Sequence, residues 1–171
     1  FINSKPLHAY LLERLGISLY AGRAISVLRN LKVKDAMEVQ FESIPVDASV
    51  SDLRAAVRLS LLNVIGVTTK DGVFFGLLVL DSLPSRVRRI LGSSASEAEL
   101  QGLGRVLEIS DFVDIDVVTL NPDASLESAL PMIETHQAIA VLDADRKLCG
   151  VLTESLIAER YKREVARASR I

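Results

Sequence analysis

The sequence predicts a mixed α/β (α+β) fold of two β-α-β-β-α repeats related by a pseudo-twofold axis, and three observations predict it. The stretch Ile44-Pro45-Val46-Asp47-Ala48-Ser49-Val50-Ser51-Asp52-Leu53 returns as Leu120-Asn121-Pro122-Asp123-Ala124-Ser125-Leu126-Glu127-Ser128-Ala129, a displacement of 76. Leu31 to Met37 aligns with Leu107 to Val113 at the same displacement, without a gap up to Ser49 and Ser125. Beyond that, a two-residue deletion brings Asn63 opposite Gln137 and Gly76 opposite Gly150, at a displacement of 74. An internal repeat of this length outranks any single motif. Each copy reads as an apolar extended piece, a Pro that forbids a continuous strand, then Asp-Ala-Ser ahead of an amphipathic run. The Ser hydroxyl is placed to accept from the first free helical amides. Each unit has one apolar sheet face, which packing against the other unit would bury.

The elements follow in order. Pro6 to Leu15 reads as a short helix, with Leu7, Tyr10 or Leu11, and Leu15 at helical spacing and Gly16 as its stop. Ile17 to Arg29 reads as a connector, with a turn suggested at Gly22 and Arg23. In the first repeat, Val33 to Met37 is one helical turn and Val39 to Ile44 a strand. Val50, Leu53, Val57 and Leu61 recur every three or four residues, so Ser49 to Ser60 is a helix with those residues inward. Val64 to Thr68 and Val73 to Leu80 are strands around the hairpin signal Lys70-Asp71-Gly72. Asp81 or Ser82 caps a second helix that stops at Gly92. Small polar residues from Gly92 to Ser96 form a loop, and Glu97 to Leu103 a brief helix. The second repeat has a strand at Ile115 to Leu120 and a helix at Ser125 to Glu134, with Leu126, Leu130 and Ile133 inward. A hairpin follows from Ala138 to Leu142 and Leu148 to Leu152, and the closing helix starts at Ser155. The division is a connector over 1–30, repeat one over 31–91, a linker over 92–106, and repeat two over 107–171.

Composition narrows the function classes. At 49% hydrophobic and 25% charged the chain is globular rather than disordered. A net charge of −2 argues against a general nucleic-acid binder. The single cysteine, Cys149, excludes an internal disulfide framework and reads as a buried thiol. The longest apolar run, Val73 to Leu80, is far short of the roughly 20 residues a bilayer demands, so the chain is expected to be soluble by itself. A start at Phe1 without methionine is expected of a piece of something longer.

With these residues in view, the sequence resembles a tandem pair of CBS domains, the regulatory modules named after cystathionine β-synthase. The Asp-Ala-Ser helix starts and Gly150-Val151-Leu152-Thr153 carry the resemblance, with Gly76-Leu77-Leu78-Val79 as the weaker counterpart. It covers roughly Leu31 to Lys162. The connector is more specific. Leu11 to Ile17, Ala21-Gly22-Arg23 and Val27-Leu28-Arg29, running into Leu31 to Met37, resemble the cytoplasmic linker of bacterial ClC chloride channels and transporters. The resemblance implies a regulatory domain, not an enzyme, at the cytoplasmic face of the inner membrane. Its implied partners are a second copy of itself and the membrane transport domain of the same polypeptide, with no nucleic acid.

It also implies clefts for an adenine nucleotide (ATP, ADP or AMP), with no cofactor required. An apolar wall holds the base, and a Thr or Ser followed three positions later by Asp meets the ribose, whose hydroxyls need an acceptor. This sequence departs from that pattern. Thr153 is followed at the third position by Leu156. In the first repeat Val79 stands at the Thr position, with Ser82 as its partner and Asp81 one place early. A missing charge-assisted hydrogen bond costs about 1.5–3 kcal/mol, one to two decades of affinity. The better cleft is the one expected to be lined by Thr119, Gln137, Ile139 and Thr153. The plainer reading of Thr153 is a helix cap.

Other clusters point elsewhere only weakly. His8 and His136 lie in different elements without metal-ligand spacing, so each reads as solvated or capping. Asp111, Asp114 and Asp116 lack the Gly and the terminal Glu of a calcium loop and are expected to be metal-free, two of them flanking a strand. Arg86, Arg88 and Arg89 read as a solvated helix face. Arg160, Lys162, Arg163, Arg167 and Arg170 give the last helix a basic end, which favours a helix C-terminus or an anionic membrane surface. Two rivals remain to the channel reading. One is a nucleotide-sensing CBS module of another transporter or of an enzyme. The other is an enzyme holding a metal on the three Asp residues.

Overall fold

The computed structural model describes residues 13–14, 16, 21–92 and 95–169. Apart from Glu13 and Arg14, the expected helix from Pro6 to Leu15 lies outside the described residues, as do His8 and Arg170. The described residues hold six α-helices and two three-stranded sheets.

The chain divides into two compact units that cut across the sequence repeats. One unit comprises Gln40–Val117 with Ala144–Leu148. Its sheet has β1 (Ser43–Pro45) parallel to β2 (Val64–Thr68), which is antiparallel to β3 (Phe74–Val79). Its helices are α2 (Val50–Leu59), α3 (Ser85–Gly92) and α4 (Glu97–Gly104). The other unit takes Val118–Asp143 and the described parts of Phe1–Val39 and Cys149–Ile171. In it, α1 (Ala21–Asn30), α5 (Leu126–Ile133) and α6 (Glu154–Ala168) back a sheet of β4 (Thr119–Leu120), β5 (Ala138–Leu142) and β6 (Leu148–Thr153), with β5 central.

Each unit therefore contains the opening segment of the other repeat. Leu31, Val33 and Ala36 share a core with Leu126, Leu130, Ile139 and Ile157. Leu107 and Ile109 share the other core with Leu53, Ile65 and Leu78. The main chain follows the same plan twice. Glu38 bridges Val151, with N–H to carbonyl distances of 2.9 and 3.0 Å, and Asp114 bridges Leu77 at 2.8 and 3.1 Å. These are equivalent pairs under the displacements of 76 and 74 read from the sequence.

The approach requires a bare backbone on the crossed strand. A Cβ at Gly76 would lie 2.5 Å from the carbonyl oxygen of Asp114, and one at Gly150 would lie 2.5 Å from Sδ of Met37. So the glycine of each Gly-x-x-x strand end is set by what crosses it.

Local chemistry accounts for the helices. Ser49 caps α2: its hydroxyl accepts from the Asp52 amide at 3.1 Å, and the Asp52 carboxylate accepts from the Ser49 amide at 3.0 Å. Ser125 caps α5 by accepting from the Ser128 amide at 3.4 Å. The deletion falls inside these helices, since α2 has 10 residues and α5 has 8, the latter with Pro131 inside it. Gly72 takes a left-handed φ of 77° in the first hairpin. Its counterpart Arg146 is forced to 59°, where a side chain is strained.

Several expectations are corrected. The turn at Gly22 and Arg23 is helix, because Ala24 and Leu28 are buried against α5 and α6, which offsets a glycine cost of about 1 kcal/mol. The strands expected at Val39 to Ile44 and Ile115 to Leu120 shrink to Ser43–Pro45 and Thr119–Leu120. The single bridges fall just before them, at Glu38 and Asp114, and Val39 and Ile115 are left more than half exposed. Leu61 is 84% exposed rather than inward, because α2 stops at Leu59. Neither Asp81 nor Ser82 caps α3. They lie in a 3-10 turn, and α3 starts after Pro84, whose ring suits a helix start.

Gly76→Ala should destabilise by about 1–3 kcal/mol, since its obstacle is backbone in a two-bond bridge. Gly150→Ala should cost clearly less, because the flexible Met37 side chain can swing aside. Urea denaturation of both variants checks the order, and equal losses would contradict the account of the crossing.

Candidate functional site

Sheet β4–β5–β6 gathers three of the four predicted site residues at one end. Thr119 lies on edge strand β4 in register with Ala140 of β5, and its side chain is exposed. Gln137, exposed, immediately precedes β5. Thr153 ends β6 on the other side of β5. Its counterpart Val79 pairs with Val64, the counterpart of Ala138, so the repeat sets Thr153 beside the start of β5. Ile139 does not join them. It is fully buried and packs with Leu126, Leu130, Val141 and Ile157 on the helix side of the sheet, so it offers no exposed wall.

Polar groups near this end already have uses. The Thr153 hydroxyl accepts from the Leu156 amide at 3.4 Å, the N-cap of α6. Leu156, where the resemblance leads one to look for an aspartate, is half-buried against the core. The neighbouring carboxylate, Glu154, receives a two-bond clamp from Arg14, with Nε donating to Oε1 at 2.9 Å and Nη2 to Oε2. Toward the other end of the sheet, in the loop after β4, Asp123 accepts from Lys34 Nζ at 2.6 Å. That hydrogen bond and the ammonium charge hold Asp123 below the usual carboxylate range. The arrangement offers hydroxyl and amide groups at a sheet end, with Glu154, the acid that follows Thr153, committed to Arg14.

The equivalent end of the first repeat is more closed. The Ser82 hydroxyl donates to the Val79 carbonyl at 2.7 Å. Asp81 accepts from Asn63 at 2.6 Å and from Arg88 at 3.2 Å.

The Arg14–Glu154 clamp has no signal in the sequence, since 140 positions separate its partners. The same holds for Arg29 and Glu127, 98 apart, joined by bonds of 2.7 and 2.9 Å. His136 closes the end of α5, with Nδ1 at 3.1 Å from the Met132 carbonyl and 2.8 Å from the Thr135 hydroxyl. Asp111, Asp114 and Asp116 are exposed, and Asp114 accepts from the Asp116 amide at 3.0 Å. Among the described residues no three His, Cys, Asp or Glu side chains converge as a metal set.

Cys149 donates to the Val141 carbonyl at 3.3 Å. Burial, with the Asp143 charge, pushes its thiol above the ordinary value, away from the reactive thiolate. In α6, Arg160 pairs with Glu164 at 2.9 Å and Arg163 with Glu159, so part of the basic end is neutralised within the helix. No helix among the described residues is long and apolar enough to cross a membrane.

Residues 109–163 match the family model described as "CBS domain", which spans most of the second repeat. A CBS domain-containing protein of unknown function from Bacillus anthracis aligns at TM-score 0.62 and 21% identity, over 81% of this chain and 98% of that one. The fold is that of a CBS domain pair. CBSX2, a CBS-pair protein from Arabidopsis thaliana, aligns at TM-score 0.58 and 17% identity, over 82% and 97% of the two chains. The CBS domain pair of protein MJ0100, solved with 5′-methylthioadenosine and S-adenosyl-L-methionine, aligns at 0.56 and 12% identity, over 78% and 98%. No curated protein sequence matches the chain significantly. The family model matches the second repeat alone, and the segment exchange and the two equivalent bridges show that the first repeat has the same fold.

Thr153→Val should remove the cap of α6 and destabilise by about 1 kcal/mol, while Thr153→Ser should hold near wild type. Denaturant titration separates the two, and an unchanged Thr153→Val would mean that the hydroxyl caps nothing.

Proposed function

We propose that this CBS pair is a regulatory module, not an enzyme, that binds an adenosine-containing ligand at the Thr119, Gln137 and Thr153 end of its second sheet and transmits the event through α1. The observation that carries the reading is the place of α1. Ala24 and Leu28 are buried in the same core as Ile139 and Val141, which lie on the strand Gln137 precedes. Arg29 is clamped to Glu127 at the start of α5. A ligand that shifts β5 therefore acts on the packing of α1, by no more than its differential affinity for the two arrangements. The MJ0100 pair carries two adenosine-containing ligands, which supports the ligand class. The missing aspartate at Leu156 supports weak binding.

The finer reading is that the module serves a ClC-type chloride channel or proton-coupled chloride exchanger at the cytoplasmic face of the inner membrane. It rests on the connector resemblance, part of which lies outside the described residues. A nucleotide-sensing CBS module of another transporter or of an enzyme is equally consistent with the fold and its neighbours. We further propose a homodimer, supported by Leu59 and Leu61, which are 65% and 84% exposed near the end of α2.

Calorimetry of the full chain with AMP, ADP, ATP, 5′-methylthioadenosine and S-adenosyl-L-methionine at millimolar levels should give saturable heat with one of them. Thr119→Val with Gln137→Ala should weaken it about tenfold. Silence for all five ligands removes the sensing function, and sedimentation at monomer mass removes the dimer. A parent polypeptide without membrane spans upstream of this segment removes the channel and leaves the module.

A further inference from the structure

The arginines that read in sequence as one solvated face are separated by the fold. Arg88 turns to Asp81. Arg86 and Arg89, one helical turn apart on α3, line a groove of about 550 Å³ whose other wall is α4 and the turn after it. That volume lies within the roughly 300–1,000 Å³ of small-molecule clefts. Neither guanidinium makes a hydrogen bond or ion pair with another side chain among the described residues. Beside them lie Leu103 and Val106, the latter 81% exposed, with the largely buried Ile90 at the base. Gly102 leaves the wall bare, since a Cβ there would meet nothing within 4 Å.

The charge balance selects the occupant. Glu99 also lines the groove, and its carboxylate accepts from the Ser96 amide at 2.9 Å and the Ser96 hydroxyl at 3.0 Å. The Ser96 amide, its hydroxyl and the Arg89 charge hold Glu99 below the usual carboxylate range, so it is ionised at neutral pH. Two cations and one fixed anion leave a single net positive charge. A polyphosphate would meet repulsion from Glu99. A neutral apolar molecule would desolvate two guanidiniums without replacing their hydrogen bonds. A carboxylate can take the paired forks of two arginines, and an attached hydrocarbon chain can cover Leu103 and Val106.

We propose that this groove binds a single-chain monoanionic amphiphile, a medium- or long-chain carboxylate, with its head between Arg86 and Arg89 and its chain along Ile90, Leu103 and Val106. The site is independent of the Thr119, Gln137 and Thr153 end, and its occupation bears on α3 and α4.

Calorimetric titration of the full chain with dodecanoate, below its micellar concentration, should saturate at one molecule per chain, and dodecyl maltoside, single-chained but uncharged, should not. Gly102→Leu puts its Cβ in open space and its side chain into the groove, and keeps a helix former in α4, so it should melt near wild type yet bind at least tenfold more weakly. Arg86→Gln with Arg89→Gln should weaken binding about tenfold or more, one lost charge-assisted hydrogen bond being worth about that factor. The proposal is overturned by dodecanoate that fails to saturate, by equal binding of the maltoside, or by a folded Gly102→Leu that binds like wild type. It is also overturned if a peptide of alternating Glu and Leu displaces dodecanoate at lower concentration, which would assign the groove to an acidic protein segment.

Discussion

The crossing of one chain segment over a bare glycine, made twice, is the constraint on which the architecture depends. At Gly76 and Gly150 the last strand of each repeat is approached so closely that a methyl group would collide with Asp114 or Met37. The bridges Leu77–Asp114 and Glu38–Val151 then fix the opening segment of one repeat onto the sheet of the other. Without that crossing, Leu31, Val33 and Ala36 would leave their core, as would Leu107 and Ile109. Each sheet has three strands, near the minimum that supports itself, so the borrowed apolar residues are a structural share of each core. Burial of side chains of this size contributes about 1.5–3 kcal/mol each, large against the net stability of a domain.

That constraint also shapes the candidate site. Gly150 belongs to the same strand end as Thr153, so the residue that admits Met37 and the residue that could meet a ligand are three apart on one strand. Thr153 must cap α6, and Glu154 beside it is clamped to Arg14. Glu154, the acid next to Thr153, is thus occupied in holding α6 to the segment before α1. In the first repeat, Asp81 is held by Asn63 and Arg88. A ligand at either end would have to displace existing bonds, and a displaced charge-assisted bond is itself a means of moving an element.

What was readable from the sequence was local, periodic or duplicated. The helix starts at Ser49 and Ser125, the left-handed turn at Gly72 and the change of displacement inside the paired helices needed only neighbouring residues or the other copy. The rest depended on partners distant in the chain. Gly22 forecasts a turn until Ala24 and Leu28 are seen buried on α5 and α6. The apolar runs at 39–44 and 115–120 look like full strands, yet only Ser43–Pro45 and Thr119–Leu120 pair, and the single bridges fall before the runs, at Glu38 and Asp114. Every residue of β5 is buried, so its alternation carries no sign of which face Ile139 takes. Hence the sequence groups Ile139 with Thr119, Gln137 and Thr153, while the fold buries it in the core with Leu126, Leu130 and Ile157.

The proposed mechanism rests on the position of α1. A helix that only tethered a module would need no core residues, yet Ala24 and Leu28 are almost wholly buried and Arg29 is bidentate to Glu127. Interiors packed at crystal-like density do not deform smoothly, so a change at Ile139 or Val141 reaches Leu28 as a choice between arrangements. Exposed ion pairs contribute little to stability, and Arg29–Glu127 and Arg14–Glu154 are partly exposed. Their worth is directional: they fix the register of α1 and its preceding segment against α5 and α6. An element anchored by a small buried stripe and two weak but oriented clamps is costly to remove and cheap to shift. That combination suits a helix that carries a signal better than one that only holds a fold together.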